Sequence, residues 1–239
     1  MLYSAISGAA NVPLQNATAT YSQTNAELPG LWDPFKTIDG VPFGSFTSWA
    51  ITEQPASNAQ TIVWETQSNV GSSSGQEFKF DLYHGDSIPI GTQYLGHFRL
   101  SYTTDDRASF ANGLANGGDV SANWTVITPA SVSSTGGYGL SILGDGSMLV
   151  TNSNGETQPT YSVLGTINSA DITGFRLEAM KDPSLPFGGP GLNPASNAGG
   201  NFHLSEFVVT SPIPEPATYA MFMAGLGLMA FMARRRKPA

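Results

Sequence analysis

Residues 77–84 read EFKFDLYH, and Phe78, Phe80 and Leu82 alternate there with polar neighbours. Successive side chains of a β-strand point to opposite faces, so this period of two places three apolar groups on one face. The segment is therefore predicted to be a strand with one buried face and one face toward water.

The same alternation recurs elsewhere in the chain. Residues 96–102 and residues 174–180 each place three apolar side chains on one face. Shorter β-rich runs predict further strands at residues 16–22, 47–52, 60–66, 122–127, 138–142, 147–150, 159–164 and 202–209. In the last of these the alternation changes phase near Glu206, which indicates a bulge or a strand covered on both faces. No helical periodicity intervenes, so we expect an all-β fold, an antiparallel jelly-roll-like β-sandwich.

Turn residues separate these runs. The dipeptides Asp39-Gly40, Asp145-Gly146 and Asn154-Gly155 supply the positive φ angles that hairpins need. The run GSSSG at residues 71–75 is predicted to be a flexible hairpin tip, because serine and glycine neither pack nor stiffen the backbone.

A short internal echo bears on the number of domains. The tripeptide Phe-Arg-Leu at residues 98–100 recurs at residues 175–177. The echo favours two similar β-sandwich units, residues 11–104 and 120–211, joined by a turn-rich linker at residues 105–119. A single sandwich spanning both is the alternative.

Composition excludes several classes of function. The 239 residues include 10 Lys+Arg, 18 Asp+Glu and no cysteine, for a net charge of −8. Without cysteine there are no disulfides, cysteine nucleophiles or thiolate-bound metals. The acidity argues against nucleic acid as a partner, because neutralising phosphates requires a basic face.

Four of the ten cations close the chain: Arg234, Arg235, Arg236 and Lys237. The part before Pro214 has six cations against 17 acids, a net charge of −11. Directly ahead of the basic cluster, residues 217–233 read ATYAMFMAGLGLMAFMA and contain no charge.

Residues 217–233 are predicted to form a transmembrane helix. At about 1.5 Å per residue the helix is about 26 Å long, close to the roughly 30 Å hydrocarbon core of a bilayer. Arginine side chains can snorkel across the difference. The positive-inside rule places the basic cluster in the cytoplasm, so the body lies outside the inner membrane. A buried helix of a soluble domain is the alternative, but the basic terminus speaks against it.

The C-terminal segment, residues 212–239, resembles a known sorting signal. Pro214, Glu215 and Pro216, then a short apolar helix, then a terminal arginine cluster are similar to the PEP-CTERM signal of Gram-negative bacteria. The resemblance implies that an exosortase, a membrane enzyme similar to cysteine proteases, recognises the motif and processes the protein toward the cell surface. It makes these three residues the substrate of that enzyme, with no catalytic role of their own.

The N-terminus supports export less directly. Residues 1–10 end in Gly8-Ala9-Ala10, which is typical of the end of a signal peptide, but no Lys or Arg precedes Lys36. We interpret residues 1–10 as the remnant of a signal peptide whose start lies upstream.

The body resembles a second family. The runs NATATYSQ at 16–23 and LGHFRLS at 95–101, with GFRL at 174–177 and NFHLSEFVV at 201–209, are similar to galactose-binding-like, discoidin-type jelly rolls. The resemblance implies a sandwich that binds glycans or other surface ligands.

Few residues suggest a binding or catalytic site. Trp32, in a proline-rich loop, is predicted to be exposed and to stack on a sugar, with core packing as the alternative. The three histidines lie far apart and outside metal-ligand spacings, which favours surface or hydrogen-bonded structural roles. Asp105-Asp106 predicts a solvated turn, with a structural calcium site as the alternative. We expect no catalytic residue, no metal ligand and no cofactor.

Together these features predict a non-enzymatic, exported cell-surface or matrix protein. Its expected partners are an exosortase-type enzyme, the inner membrane and an extracellular polysaccharide. Two alternatives stay open at this point: a secreted hydrolase acting on that polysaccharide, and a permanently tail-anchored surface protein.

Overall fold

A computed structural model describes residues 9–23, 30–52, 57–86, 92–152 and 157–212. The chain divides into two units, one of residues 11–211 and one of residues 1–10 and 212–239. Of the second unit, only Ala9, Ala10 and Pro212 are described. The predicted turn at Asn154-Gly155 lies outside the described residues.

The first unit is all-β, as predicted. The strands, in chain order, are β1 Ala9–Asn11, β2 Leu14–Ala19, β3 Phe43–Gly44, β4 Trp49–Ala50, β5 Gln60–Tyr83, β6 Gly85–Asp86, β7 His97–Thr103, β8 Thr125–Val126, β9 Ser131–Ser134, β10 Gly139–Ile142, β11 Met148–Asn152, β12 Thr160–Ala179, β13 His203–Leu204 and β14 Glu206–Pro212. Short 3-10 helices lie at Pro34–Ile38, Arg107–Ser109 and Pro186–Gly188.

No described helix is long and apolar enough to cross a membrane. The predicted transmembrane segment, residues 217–233, lies outside the described residues.

Two long strands, β5 and β12, build the framework. They pair antiparallel along their whole length, from Gln60 opposite Ala179 to Tyr83 opposite Thr160. The pairing is irregular only between Ile167 and Gly174, where the register shifts. The two strands therefore form one ribbon with a regular half on either side of an irregular middle.

The run at residues 71–75 lies in this irregular middle, so the predicted hairpin tip is wrong. Gly71 and Gly75 have φ angles of 101° and 95°, and the chain continues through them as part of β5. A Cβ at Gly71 would lie 2.4 Å from the carbonyl oxygen of Ser169. Glycine is needed here because the two strands approach closely while they bend.

The two halves of the ribbon belong to different layers. In one half, β5 and β12 are flanked by β2 and β7; in the other, they are flanked by β14 and β9. Aromatic rings join the halves: Phe175 lies 5.9 Å from Phe78 and 5.4 Å from Phe80, centroid to centroid, and Trp64 stacks on Phe207 at 4.1 Å. The core is thus enclosed between two layers, as in a β-sandwich.

The expected linker, residues 105–119, does not separate two units. Residues 11–211 form one compact unit, and β5 and β7, before this segment, share a sheet with β12, after it. Phe110 and Ala111 pack on Val63 and form a second apolar cluster on the outer face of the sheet. The segment is therefore packed against the fold, and the single-sandwich alternative describes the contacts better.

This outer cluster allows a test of packing at Gly174. A Cβ added at Gly174 would lie 2.6 Å from the ring of Phe110 and 2.8 Å from the carbonyl oxygen of Trp64. We expect Gly174→Ala to lower the free energy of unfolding by about 1–3 kcal/mol, because neither the ring nor the backbone can move freely. Urea unfolding measures the change.

Gly144→Ala is the matched control. Nothing lies within 4 Å of a Cβ at Gly144, so its expected effect is within about 0.5 kcal/mol. Equal effects of the two substitutions would contradict the packing described around Gly174.

Candidate functional site

Trp32 is buried, contrary to the prediction that it is exposed. Only 5% of the residue is accessible, and its ring lies 4.6 Å from that of His203 and 5.7 Å from that of Phe46. The loop is ordered locally by Asp33, which caps the 3-10 helix that follows and accepts a hydrogen bond from the N–H of Phe35 at 2.9 Å. Trp32 is part of the packing, and no stacking surface for a sugar is formed by it.

A cleft of about 330 Å³ opens on the outer face of the sheet beside the second apolar cluster. Its lining residues come from β2, β5 and the segment after β7: Asn16, Glu65, Arg107, Ala108, Phe110, Ala111, Asn112 and Asp119. The fold brings these residues together from three distant parts of the chain.

Glu65 forms the floor on the β5 side and is buried. Its two carboxylate oxygens accept hydrogen bonds from the side-chain amides of Gln15 and Asn16, each at 3.0 Å. The amide of Asn16 also donates to the carbonyl oxygen of Ala111. The Asn16 amide therefore links Glu65 on β5 to Ala111 in the segment after β7.

Arg107 is oriented by the backbone beneath it. Its Nε donates to the carbonyl oxygen of Thr66 at 2.7 Å, and an Nη donates to the Thr66 hydroxyl at 3.0 Å. A guanidinium carries five N–H donors, so these two bonds fix its plane and leave donors for a ligand. A planar donor held this way matches two neighbouring acceptors at once.

Asn112 and Asp119 form a polar, exposed part of the rim of the cleft. Oδ1 of Asn112 accepts from the backbone N–H groups of Leu114 and Asp119, at 3.3 and 3.2 Å, which leaves its NH2 group as a donor. Oδ1 of Asp119 accepts from Ser121 N–H at 2.9 Å. The cleft thus combines donors from Arg107 and Asn112 with a carboxylate acceptor, a set that suits the hydroxyl groups of a sugar.

Two lining residues have strained backbone. Asn16 and Ala111 have φ angles of 54° and 61°, in the left-handed region that non-glycine residues seldom adopt. Such conformations persist only where the surrounding structure enforces them, and they concentrate at functional sites. In this cleft the two residues with these conformations, Asn16 and Ala111, hydrogen-bond to each other.

The histidines have hydrogen-bonded structural roles, as predicted. His84 accepts from the N–H of Leu95 at 3.3 Å through Nε2, while Nδ1 lies 3.1 Å from the carbonyl oxygen of Pro159. A neutral ring protonated at Nδ1 satisfies both contacts. Burial lowers the pKa of His84 to about 3, so the ring stays neutral at ordinary pH.

The described residues of the body include a Ser–His–Asp arrangement. His97 Nε2 lies 2.9 Å from the hydroxyl of Ser147, and its Nδ1 lies 3.8 Å from Asp182. The hydroxyl of Ser147 donates to Asp145 at 2.6 Å, and Ser147 is fully buried. A nucleophile needs a hydroxyl that reaches substrate and gives its proton to the histidine, so this serine is not placed to attack.

Asp105 and Asp106 accept hydrogen bonds from backbone N–H groups. Asp105 accepts from the N–H of Asn123 at 2.7 Å, and Asp106 caps the short helix at Arg107–Ser109 through the N–H of Ala108 at 3.0 Å. Within the ranges that the structure describes, no three His, Asp or Glu residues cluster as metal ligands.

The comparisons with known proteins identify the C-terminal segment. Residues 212–237 match the PEP-CTERM protein-sorting motif. The chain therefore carries a PEP-CTERM sorting signal, the mark of an exported protein sorted to the cell surface. Its predicted residues, Pro214 to Pro216 and Arg234 to Lys237, lie outside the described residues.

For the body, no curated protein matches. Among solved structures, a similar one is CBM32-3 from a family 31 glycoside hydrolase of Clostridium perfringens. Its sequence is 13% identical, the similarity covers 86% of this chain and 96% of that one, and the TM-score is 0.40.

Sequence reasoning missed the cleft. Asn16, Glu65 and Arg107 are 49 and 42 positions apart in turn, and none lies in a recognisable motif. The available signal was the turn-rich stretch at residues 104–119, which predicted a linker. An arginine and several Asn and Asp residues in a turn-rich segment of an acidic protein also fit a binding loop.

Proposed function

We propose that the protein is an exported cell-surface or matrix protein whose C-terminal signal is processed by an exosortase-type enzyme. Residues 217–233 span the inner membrane in the precursor, with Arg234, Arg235, Arg236 and Lys237 in the cytoplasm. Processing near Pro214, Glu215 and Pro216 then frees the body for the surface or the medium. The sorting motif at residues 212–237 supports this proposal.

The body, in this proposal, binds an extracellular polysaccharide in the cleft between Glu65 and Arg107. The supporting observation is the cleft itself, a preformed space of about 330 Å³ with oriented donors and a carboxylate at its rim. Sugar recognition depends on such fixed polar groups, because each hydroxyl both donates and accepts. The membrane-tethered precursor and the mature product would meet that polysaccharide outside the cell.

A non-catalytic role is favoured over hydrolysis. Both oxygens of Glu65 accept amide hydrogen bonds, so this carboxylate is occupied as a structural acceptor. Glycoside hydrolysis needs two carboxyl groups on opposite sides of the scissile bond, one of them able to give up a proton. Among the described residues that line the cleft, Asp119 is the second carboxylate, and it lies on the exposed rim.

Arg107→Ala tests the cleft as a binding site. We expect it to weaken binding of the host's own extracellular polysaccharide about tenfold or more, because charge-assisted hydrogen bonds contribute about 1.5–3 kcal/mol each. Affinity electrophoresis of the full-length protein in mild detergent, in gels containing that polysaccharide, measures the change.

Lys181→Ala is the matched control, since it also removes one cation and does not line the cleft. Equal retardation of both variants and the wild type would contradict binding at the cleft. A reducing-sugar assay on the same samples separates the alternatives, because sugar release without retardation would favour a hydrolase.

A further inference from the structure

Residues 39–48, named the arm here, carry three exposed apolar side chains, those of Val41, Phe43 and Phe46. The arm lies against β6 and the start of β14. Its middle is fixed by the hydroxyl of Ser205, which donates to the carbonyl oxygen of Pro42 at 2.7 Å. A Cβ at Gly85 would lie 1.8 Å from that same oxygen, so the contact is close.

Two carboxylates hold the ends of the arm. At one end, Glu206 accepts from the N–H of Gly40 at 3.0 Å. At the other end, Asp86 accepts from the N–H of Phe46 at 3.2 Å and from the hydroxyl of Ser48 at 2.7 Å. Each carboxylate belongs to the body, so the arm is attached through groups whose charge depends on pH.

The Asp86 end is held by hydrogen bonds that keep its carboxylate ionised. Nδ1 of His203 lies 3.2 Å from Oδ2 of Asp86, and both side chains are buried. Burial lowers the pKa of His203, so its ring is neutral at neutral pH and the contact is a hydrogen bond. Burial raises the pKa of Asp86, but the hydrogen bonds from His203 and Ser48 outweigh burial and leave that pKa below its usual value. Asp86 therefore stays ionised from weakly acidic to alkaline pH.

At the Glu206 end, the buried carboxyl group lies near a second acid, Asp39. Glu206 is 6% exposed, and in the described part of the chain no cation forms an ion pair with it. The ionisable groups that face it are Asp39 on the arm and Tyr83 opposite it on β5. The nearby cations are engaged elsewhere: Lys36 pairs with Asp39 and Lys79 with Asp81.

Burial, and then repulsion from Asp39, raise the pKa of Glu206 to about 7, although the backbone N–H groups of Gly40 and Val41 oppose the shift. A raised pKa means that the attached arm binds the proton more tightly than the detached arm. The resulting stabilisation is complete below pH 4.5 and is lost as the pH rises through about 7.

We propose that the arm is a pH-responsive clasp: when Glu206 loses its proton, residues 39–41 detach from β14 while the contact between Ser205 and Pro42 and the Asp86 end stay in place. Detachment lets water reach Glu206, which is buried while the arm is attached. It also moves the exposed side chain of Val41 relative to that of Phe43, which stays paired with β6.

Hydrogen exchange on the full-length protein in mild detergent, read by mass spectrometry, tests the clasp. After correction for the intrinsic exchange rate, we expect the amides of residues 39–41 to lose protection about tenfold or more between pH 6 and pH 8.5. Peptides covering residues 45–48 and β12 should keep theirs.

Glu206→Gln should remove the pH dependence, because the amide keeps an acceptor for Gly40 and cannot ionise. Asp39→Asn should move the loss of protection to lower pH, since it removes the repulsion that holds the proton on Glu206. Equal wild-type protection at both pH values would overturn the proposal, and so would the same loss in Glu206→Gln as in the wild type. If Glu206→Gln does not fold, an unmoved midpoint in Asp39→Asn would overturn it.

Discussion

Replacing Phe175 by alanine is expected to lower the free energy of unfolding by about 3–5 kcal/mol, a large part of the roughly 5–15 kcal/mol of an average domain. Phe175 is fully buried, and its ring contacts Phe78 and Phe80 across the two layers. Alanine would remove those contacts and leave a cavity that the flanking strands cannot close, because each is paired on both sides. Guanidinium unfolding of the full-length protein in detergent measures the difference.

Phe35→Ala makes the same chemical change at a site with 58% of the residue exposed. Its expected effect is within about 0.5 kcal/mol, because little apolar area leaves the protein interior. If both substitutions cost the same, the described core is wrong. If Phe175→Ala prevents folding altogether, Phe175→Leu, expected to cost about 1–2 kcal/mol, gives a measurable value.

Replacing Pro214, Glu215 and Pro216 together by alanine is expected to abolish maturation in a host that contains the exosortase. Under our proposal these residues are what the enzyme recognises, and the apolar segment behind them would then hold the precursor in the inner membrane. The intact mass of the protein in the membrane and surface fractions shows whether residues 217–239 are still attached.

Arg107→Ala serves as the control for sorting, because it changes the cleft and leaves the signal intact. It should mature like the wild type. Maturation of the triple variant at the wild-type rate would contradict recognition of the motif. Wild-type protein that keeps residues 217–239 at the surface would instead establish a permanently tail-anchored protein.

Local pattern predicted the strands well where one face meets the core. The alternation at residues 77–84 falls at the end of β5, and the alternation at residues 174–180 falls at the end of β12. In both, the apolar side chains predicted to share one face are buried in the core. The change of phase near Glu206 corresponds to a real break at Ser205, since β13 pairs with β4 and β14 pairs with β5. In these segments the burial of alternate side chains produces a pattern that can be recognised in the local sequence.

Features that depend on contacts between distant parts of the chain leave no such pattern in the local sequence. β9, Ser131–Ser134, is short and made mostly of serine, so only its pairing with β12 makes it a strand. Trp32 is buried because His203, far along the chain, lies against it. The cleft likewise exists only after β2 and the segment after β7 meet at Glu65.

The β5–β12 ribbon also constrains how the protein is made. Its two strands lie 76 residues apart, between Tyr83 and Thr160, yet each supplies both layers. Neither layer can be completed by the N-terminal half of the polypeptide alone, so a ribosome must release most of the chain before the interior can assemble. Closing such a long loop is slow compared with forming local hairpins. The core of the body is therefore expected to form late, after β12 has been synthesised and has paired with β5.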